Sequence, residues 1–155
     1  MRILVVSDRH GDEYSLMRAI KAQPTAEIVV HWGDGSDEAS RIREFFPDKM
    51  VVSVKGNCDF CSSAPISEIF SAEGVKFFVT HGHAYNVKST LYNLSCAARE
   101  QEASVVLFGH THNPLSIYDD GLYMLNPGSL RGYISTYGYV DVTHKGIITN
   151  IVELK

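Results

Sequence analysis

Five short apolar runs, each followed at once by polar residues and glycine, are the dominant feature of this sequence. They are rich in Val, Ile and Phe and lie at residues 2–7, 27–31, 50–54, 75–80 and 104–108. Short apolar runs without alternation indicate strands that are buried on both faces, as in the parallel sheets of α/β proteins. We therefore expect these runs to form buried strands in the core of the protein.

Amphipathic segments between these runs predict helices over residues 12–22, 36–46 and 87–100. Ser36 is the expected N-cap of the second helix, because a hydroxyl there can accept a hydrogen bond from the first turn, and acidic residues follow it. The last third of the chain has a different pattern, with short strand-like runs in place of amphipathic segments.

Turn-forming residues in that last third separate four short runs, at residues 114–119, 122–125, 137–143 and 147–153. An α/β part followed by a mostly β part predicts two sheets packed together with helices outside. A length of 155 residues fits one domain, so we expect a single domain over residues 1–155.

The residues that end the five apolar runs are of the types that bind metals. They are Asp8 and His10 after the first run, Asp34 after the second, Asn57 after the third, His81 after the fourth, and His110 and His112 after the fifth. In open α/β sheets the ligand crevice lies off the carboxyl ends of the strands, so these side chains should converge. Each residue alone has an ordinary alternative, as a capping carboxylate or a hydrogen-bonded histidine. Their joint placement outweighs it and predicts a site for first-row divalent metals.

Composition narrows the possible partners. A formal charge of −4 gives no electrostatic footprint for long nucleic acid. No apolar run is long enough for a signal peptide or a membrane span, so we expect no membrane association. Three cysteines, an odd number, argue against a disulfide framework and fit a reducing compartment. We expect a cytoplasmic protein with a small substrate, and the sequence leaves a homo-oligomer open.

The ordered boxes Asp-x-His, Gly-Asp, Gly-Asn-x-x, His-Gly-His and Gly-His-Thr-His resemble those of the calcineurin-like metallophosphoesterases. The short length, the Gly56–Asp59 box and the Asn126–Ser129 segment resemble the small bacterial and archaeal phosphodiesterase branch. The likeness runs from Arg2 to about Val142. It implies an α/β fold, a four-layer α/β/β/α sandwich of two mixed sheets flanked by helices, in agreement with the two sheets expected above.

The resemblance also implies two divalent metal ions, with Mn as the first expectation and Ni, Fe or Zn as alternatives. One metal would take Asp8, His10, Asp34 and His112, and the second would take Asp34, Asn57, His81 and His110. The implied activity is hydrolysis of phosphate diesters, in which a hydroxide that bridges the two metals attacks phosphorus.

One position departs from the wider family, in which a histidine that can protonate the leaving group often follows Gly-Asn. Cys58 stands there instead, and a thiol with a reference pKa of about 8.5 is a poor substitute for imidazolium. His83 is the nearest candidate for a general acid, with support of His81 as its alternative role. Asn57 can orient a phosphate as well as bind metal. We therefore expect substrates with good leaving groups to be favoured.

The sequence leaves further assignments open. Arg9 and Arg131 are candidate phosphate contacts, although exposed arginines are commonly only solvated. A phosphomonoesterase would use the same metal site, and a nuclease for short nucleotide diesters is also compatible with it. A non-catalytic scaffold would resemble the retromer subunit of this fold, whose metal centre is damaged. This chain keeps competent residues at every ligand position, which favours an enzyme.

Overall fold

Two five-stranded sheets packed face to face form the body of the computed structural model, which describes residues 1–7, 12–32, 38–59 and 62–155. The strands within these residues are β1 (Arg2–Ser7), β2 (Ala26–Trp32), β3 (Met50–Val54), β4 (Ser67–Ala72), β5 (Val75–Thr80), β6 (Val105–Leu107), β7 (Leu115–Asp119), β8 (Leu122–Asn126), β9 (Thr136–Thr143) and β10 (Gly146–Glu153). The helices are α1 (Glu13–Ala22), α2 (Glu38–Phe45) and α3 (Tyr92–Glu100), with a 3₁₀ turn at His83–Tyr85.

Both sheets are mixed. The first has the order β10-β9-β1-β2-β3, in which β1, β2 and β3 are parallel and β9 and β10 run against them. The second has the order β4-β5-β6-β8-β7, with β5, β6 and β8 parallel and antiparallel strands at both edges. Parallel neighbours end at the same edge of their sheet, so the loops after β5 and β6 leave side by side.

Three layers of apolar side chains hold the sheets and helices together. The layer between the two sheets includes Trp32, Phe77 and Leu107, all essentially inaccessible to solvent. Helices α1 and α2 cover the outer face of the first sheet through residues such as Leu16 and Ile42. Helix α3 covers the second sheet with its own buried stripe. The α/β/β/α sandwich expected from the sequence is therefore confirmed.

Helix α3 begins later than predicted. The amphipathic pattern predicts a helix from residue 87, but the structure begins it at Tyr92. Asn86 has a left-handed backbone with φ 55°, and the amide of Thr90 bonds back to its carbonyl, so a turn occupies this stretch. Val87 is buried nonetheless, which explains why the apolar spacing looked continuous.

The edge strand β4 has no counterpart in the sequence predictions. It pairs with β5 along its whole length, yet Glu68 and Ile69 are exposed and polar residues interrupt its apolar ones. A half-exposed edge strand lacks the continuous apolar run that identified the buried strands. The predicted cap Ser36 lies outside the described residues, and no helix within them is both long and apolar enough to cross a membrane.

A polar cluster joins the start of β1 to its neighbours, at the end of the sheet opposite to the loop after β1. The Arg2 guanidinium donates two hydrogen bonds of 2.7 Å to the Asp141 carboxylate and a third, of 2.8 Å, to Gln23 Oε1. Gln23 Nε2 donates in turn to the Tyr137 hydroxyl at 3.0 Å. The hydrogen bond to Asp141 raises the pKa of Arg2, so this cluster stays charged and paired.

Candidate metal centre

The predicted ligands divide into those inside and those outside the described residues. Asp8, Arg9, His10 and Asp34 lie outside them. Ser7 and Trp32, the last residues of β1 and β2, are paired in register, and the two carboxylate-bearing segments follow them along the chain. Asn57, His81, His83, His110, His112 and Arg131 all lie within the described residues.

Three histidines meet at the carboxyl ends of β5 and β6. His81 follows β5 and is buried, and its ring centre lies 4.9 Å from that of His110, which follows β6. The ring of His83 lies 5.2 Å from His81 and 6.2 Å from His110. The amide of Gly109 donates to the carbonyl of His81 at 3.1 Å, which fixes the two loops to each other. We call these three residues the histidine cluster.

Within the cluster, His83 contacts His81 directly. Their Nδ1 atoms are 3.1 Å apart, so one ring donates a hydrogen bond to the other. Burial lowers the pKa of His83, and its electrostatic interactions with His81 and Lys55 lower it further. A lowered pKa keeps His83 neutral at pH 7, and a neutral ring has one donor and one acceptor nitrogen. Because Nδ1 of His81 is engaged by His83, Nε2 is the atom through which His81 would bind a cation.

The loop after β6 holds its histidines in an unusual backbone conformation. His110 and His112 have φ of 68° and 58°, in the left-handed region. Each such residue costs about 1–2 kcal/mol relative to the right-handed region. Conformations of this kind persist when the surrounding structure imposes them, and they concentrate at functional sites. His110 is half-buried and His112 is exposed.

The turn after β3 presents Asn57 and Cys58 to solvent. Asp59 closes this turn, because its Oδ2 accepts a hydrogen bond of 2.9 Å from the Gly56 amide. Asn57 Nδ2 lies 3.4 Å from Cys58 Sγ, so the two exposed side chains contact each other at the tip. A turn closed by Asp59 can therefore tolerate changes at Cys58.

A known protein family matches almost the whole of this chain. The calcineurin-like phosphoesterase superfamily domain matches residues 1–145, nearly the whole chain. The chain belongs to this superfamily. Membership supports hydrolysis of phosphate esters, and the family uses divalent metals.

Two relatives of this phosphoesterase come from the bacterial and archaeal branch that the boxes resemble. The probable metallophosphoesterase YsnB of Bacillus subtilis is 37% identical over 132 residues, covering 84% of this chain and 76% of that protein. A phosphodiesterase of Methanocaldococcus jannaschii is 29% identical over 165 residues, covering 94% of this chain and 95% of that protein. The predicted branch is therefore confirmed.

Solved structures share the fold of this phosphoesterase. A protein from Streptococcus pneumoniae, described as a predicted phosphoesterase, superposes with a TM-score of 0.81 at 27% identity, covering 98% of this chain and 88% of that one. Vps29 from Entamoeba histolytica, solved in complex with Zn²⁺, gives a TM-score of 0.74 at 19% identity over 100% of both chains. The latter likeness shows the fold alone.

Arg131 lies beside the end of β1. The amide of Leu130 donates to the carbonyl of Ser7 at 3.2 Å, and the amide of Arg131 donates to Ser129 Oγ at 3.1 Å. The Arg131 side chain is exposed, and it makes no hydrogen bond within the described part of the chain. A role in contacting phosphate stays a prediction.

The donors that the structure places are chemically suited to divalent metals. His81, His110 and His112 offer imidazole nitrogen and Asn57 offers an amide oxygen, which first-row divalent ions accept. Within residues 1–7, 12–32, 38–59 and 62–155, no three His, Cys, Asp or Glu residues suffice by themselves to hold a metal ion. A complete site would need further ligands, and the sequence offers the carboxylates of Asp8 and Asp34, which lie outside the described residues.

One buried residue of this region was not singled out by the sequence analysis. Asn126 ends β8 and lies behind the loop that carries His110 and His112. Its only signal in the sequence is that it belongs to the Asn126–Ser129 segment, which resembles the family. Burial of a polar side chain is a tertiary property, so the sequence pattern does not reveal it.

Proposed function

We propose that this chain is a phosphodiesterase with a binuclear metal site. The observation that carries the proposal is the histidine cluster, which joins the ends of two adjacent parallel strands in a chain of the phosphoesterase superfamily. The phosphodiesterase of Methanocaldococcus jannaschii, which aligns over nearly the full chain, supports the choice of diesters.

The two proposed ligand sets have Asp34 in common. One metal would take Asp8, His10, Asp34 and His112, and the second would take Asp34, Asn57, His81 and His110. Two divalent cations bound there would supply an activated water and would neutralise charge on the phosphoryl oxygens. Mn²⁺ is the proposed metal, with Ni²⁺, Fe²⁺ and Zn²⁺ as alternatives.

The chain's own residues orient the reacting groups. His83 fixes the ring of His81 through the contact between their Nδ1 atoms. Asn57, exposed at the tip of its turn, can donate its amide to a phosphoryl oxygen, and Arg9 and Arg131 are candidates for a second phosphate contact. With Cys58 beside Asn57, no imidazole stands at this tip to protonate the leaving group. Diesters whose leaving groups depart without protonation are thus the expected substrates.

A metal reconstitution assay tests this function. Protein stripped with EDTA and supplied with Mn²⁺ should hydrolyse bis(4-nitrophenyl) phosphate faster than 4-nitrophenyl phosphate. The reverse order would support the alternative, a phosphomonoesterase with the same site. Asn57→Ala and His81→Ala should abolish activity while circular dichroism stays unchanged. His144→Ala is the matched control, because this exposed histidine lies in the turn between β9 and β10.

A non-catalytic scaffold is the second candidate. The likeness that favours it is the fold shared with Vps29, a vacuolar protein sorting protein. Metal analysis separates the two functions. Protein that carries no metal after purification, and that Mn²⁺, Ni²⁺ and Zn²⁺ all fail to activate, would support the scaffold and refute the enzyme.

A further inference from the structure

A buried amide connects the end of β8 to the loop after β6. Asn126 is inaccessible to solvent, and its Nδ2 donates to the carbonyl of Gly109 at 3.3 Å and to Thr111 Oγ1 at 2.8 Å. Its Oδ1 accepts a hydrogen bond of 2.9 Å from the amide of Gly128. Both N–H groups of the side chain and its oxygen are thus engaged, as burial of a polar group requires.

The orientation of this amide is determined by its surroundings. The backbone N–H of Gly128 can only donate, so the atom that faces it must be the oxygen of Asn126. The NH₂ group therefore faces the loop after β6. Because β6 and β8 are parallel neighbours, with Leu107 opposite Leu125, the amide lies where both strands end.

Thr111 is the point through which Asn126 acts on the loop. It stands between His110 and His112, both of which have a left-handed backbone. Its Oγ1 accepts hydrogen bonds from Asn126 Nδ2 and from the amide of Asn113, the latter at 3.2 Å. The hydroxyl therefore fixes the segment on both sides of His112. Strained conformations persist only where such contacts impose them.

We propose that Asn126 is a positioning residue that holds the loop bearing His110 and His112 in its metal-binding conformation, through Gly109 and Thr111. The consequence for metal affinity rests on the proposed function. The effect on the loop itself does not, because the hydrogen bonds are formed by the protein alone.

The test uses substitutions that change hydrogen bonding and keep shape. Asn126→Asp, studied at pH 8, retains an oxygen that accepts from the Gly128 amide. It removes both N–H donors that face the loop after β6. Thr111→Val removes the hydroxyl, whereas Thr111→Ser retains it. The control is Gln23→Leu, which removes the side-chain hydrogen bonds to Arg2 and Tyr137 at the opposite end of β1.

Two measurements are made on each variant. Hydrogen exchange of the amides of residues 109–113 in metal-free protein reports the loop directly, and calorimetric titration with Mn²⁺ reports affinity. Asn126→Asp and Thr111→Val should speed exchange in this segment at least tenfold and weaken Mn²⁺ binding by about 10–100-fold. Thr111→Ser should behave like the wild type. Gln23→Leu should lower the Tm and leave both readouts unchanged.

The outcomes separate this proposal from the proposed function. Unchanged exchange in residues 109–113 of both Asn126→Asp and Thr111→Val, or a change no larger than in Gln23→Leu, would overturn it whatever the activity. Selectively faster exchange in a protein that cleaves no diester would leave the positioning role standing and refute the catalysis. If Asn126→Asp does not fold, the Thr111→Val and Thr111→Ser pair decides the question.

Discussion

The Nδ1 atoms of His81 and His83 lie 3.1 Å apart at the carboxyl end of β5. This distance allows one hydrogen bond, so the orientation of each ring depends on the other. A metal-binding histidine commonly has its second ring nitrogen fixed in this way, and such a partner tunes affinity without touching the metal. The contact therefore favours a supporting role for His83 over that of a general acid.

Replacement of His83 distinguishes these two roles. For His83→Ala we expect Mn²⁺ affinity to fall by about 10–100-fold, because His81 loses its partner. At saturating Mn²⁺, the remaining loss in kcat should be the same for aryl and alkyl diesters. Rates measured on both substrates across a Mn²⁺ titration check this. A selective loss on the alkyl diester would instead identify His83 as the general acid, and His144→Ala serves as the unaffected control.

Metal binding should also stabilise the folded protein. A ligand at 100 times its dissociation constant adds about 2.7 kcal/mol to the free energy of unfolding, which corresponds to a rise in Tm of about 5–10 °C for a domain of this size. Differential scanning calorimetry of EDTA-treated protein, with and without Mn²⁺, measures the shift. His81→Ala should show a much smaller one. An equal shift in the two proteins would mean that the stabilising metal binds elsewhere.

Buried strands were predictable because exclusion of water from both faces leaves a continuous apolar run. That signal located β1, β2, β3, β5 and β6 within a residue or two, and the structure does bring His81 and His110 together at the ends of β5 and β6. The same reasoning could not find β4, whose exposed Glu68 and Ile69 follow from its edge position. Edge position is set by the other strands and leaves no local pattern.

The supporting residues were harder to predict than the candidate ligands. His81 and His110 stand next to strand ends, so their placement follows from local order in the chain. Asn126 acts on the loop after β6 from 15 residues away in sequence. Its positioning role depends on its full burial and on three hydrogen bonds of its side chain. Such a role becomes visible only when the strands are assembled.

A substitution at Gly128 would show how tightly the Asn126–Ser129 segment is packed. Gly128 has φ +85°, and a Cβ there would overlap Thr136 Oγ1. Gly128→Ala should therefore lose about 1–2 kcal/mol through its backbone and a further 1–3 kcal/mol through overpacking. Gly121→Ala is the matched control, since its φ is +83° and its Cβ would have no neighbour within 4 Å. Urea unfolding measures both, and equal losses would show that the packing around Gly128 yields readily.

The last prediction concerns the missing imidazole beside Asn57. Cys58 is exposed, and the bond from Gly56 to Asp59 closes the turn beneath it, so Cys58→His should leave the stability unchanged. A histidine there can protonate a departing alkoxide, and general acid catalysis contributes about 10²–10⁴-fold. We expect hydrolysis of an alkyl diester to rise toward that range, while hydrolysis of bis(4-nitrophenyl) phosphate changes little because nitrophenolate leaves unaided. The gain should decline as pH rises through about 6.5, where a histidine loses its proton. Cys58→Ser should match the wild type on both substrates, and an equal acceleration of both by Cys58→His would show that the substitution acts on the metal site and not on the leaving group.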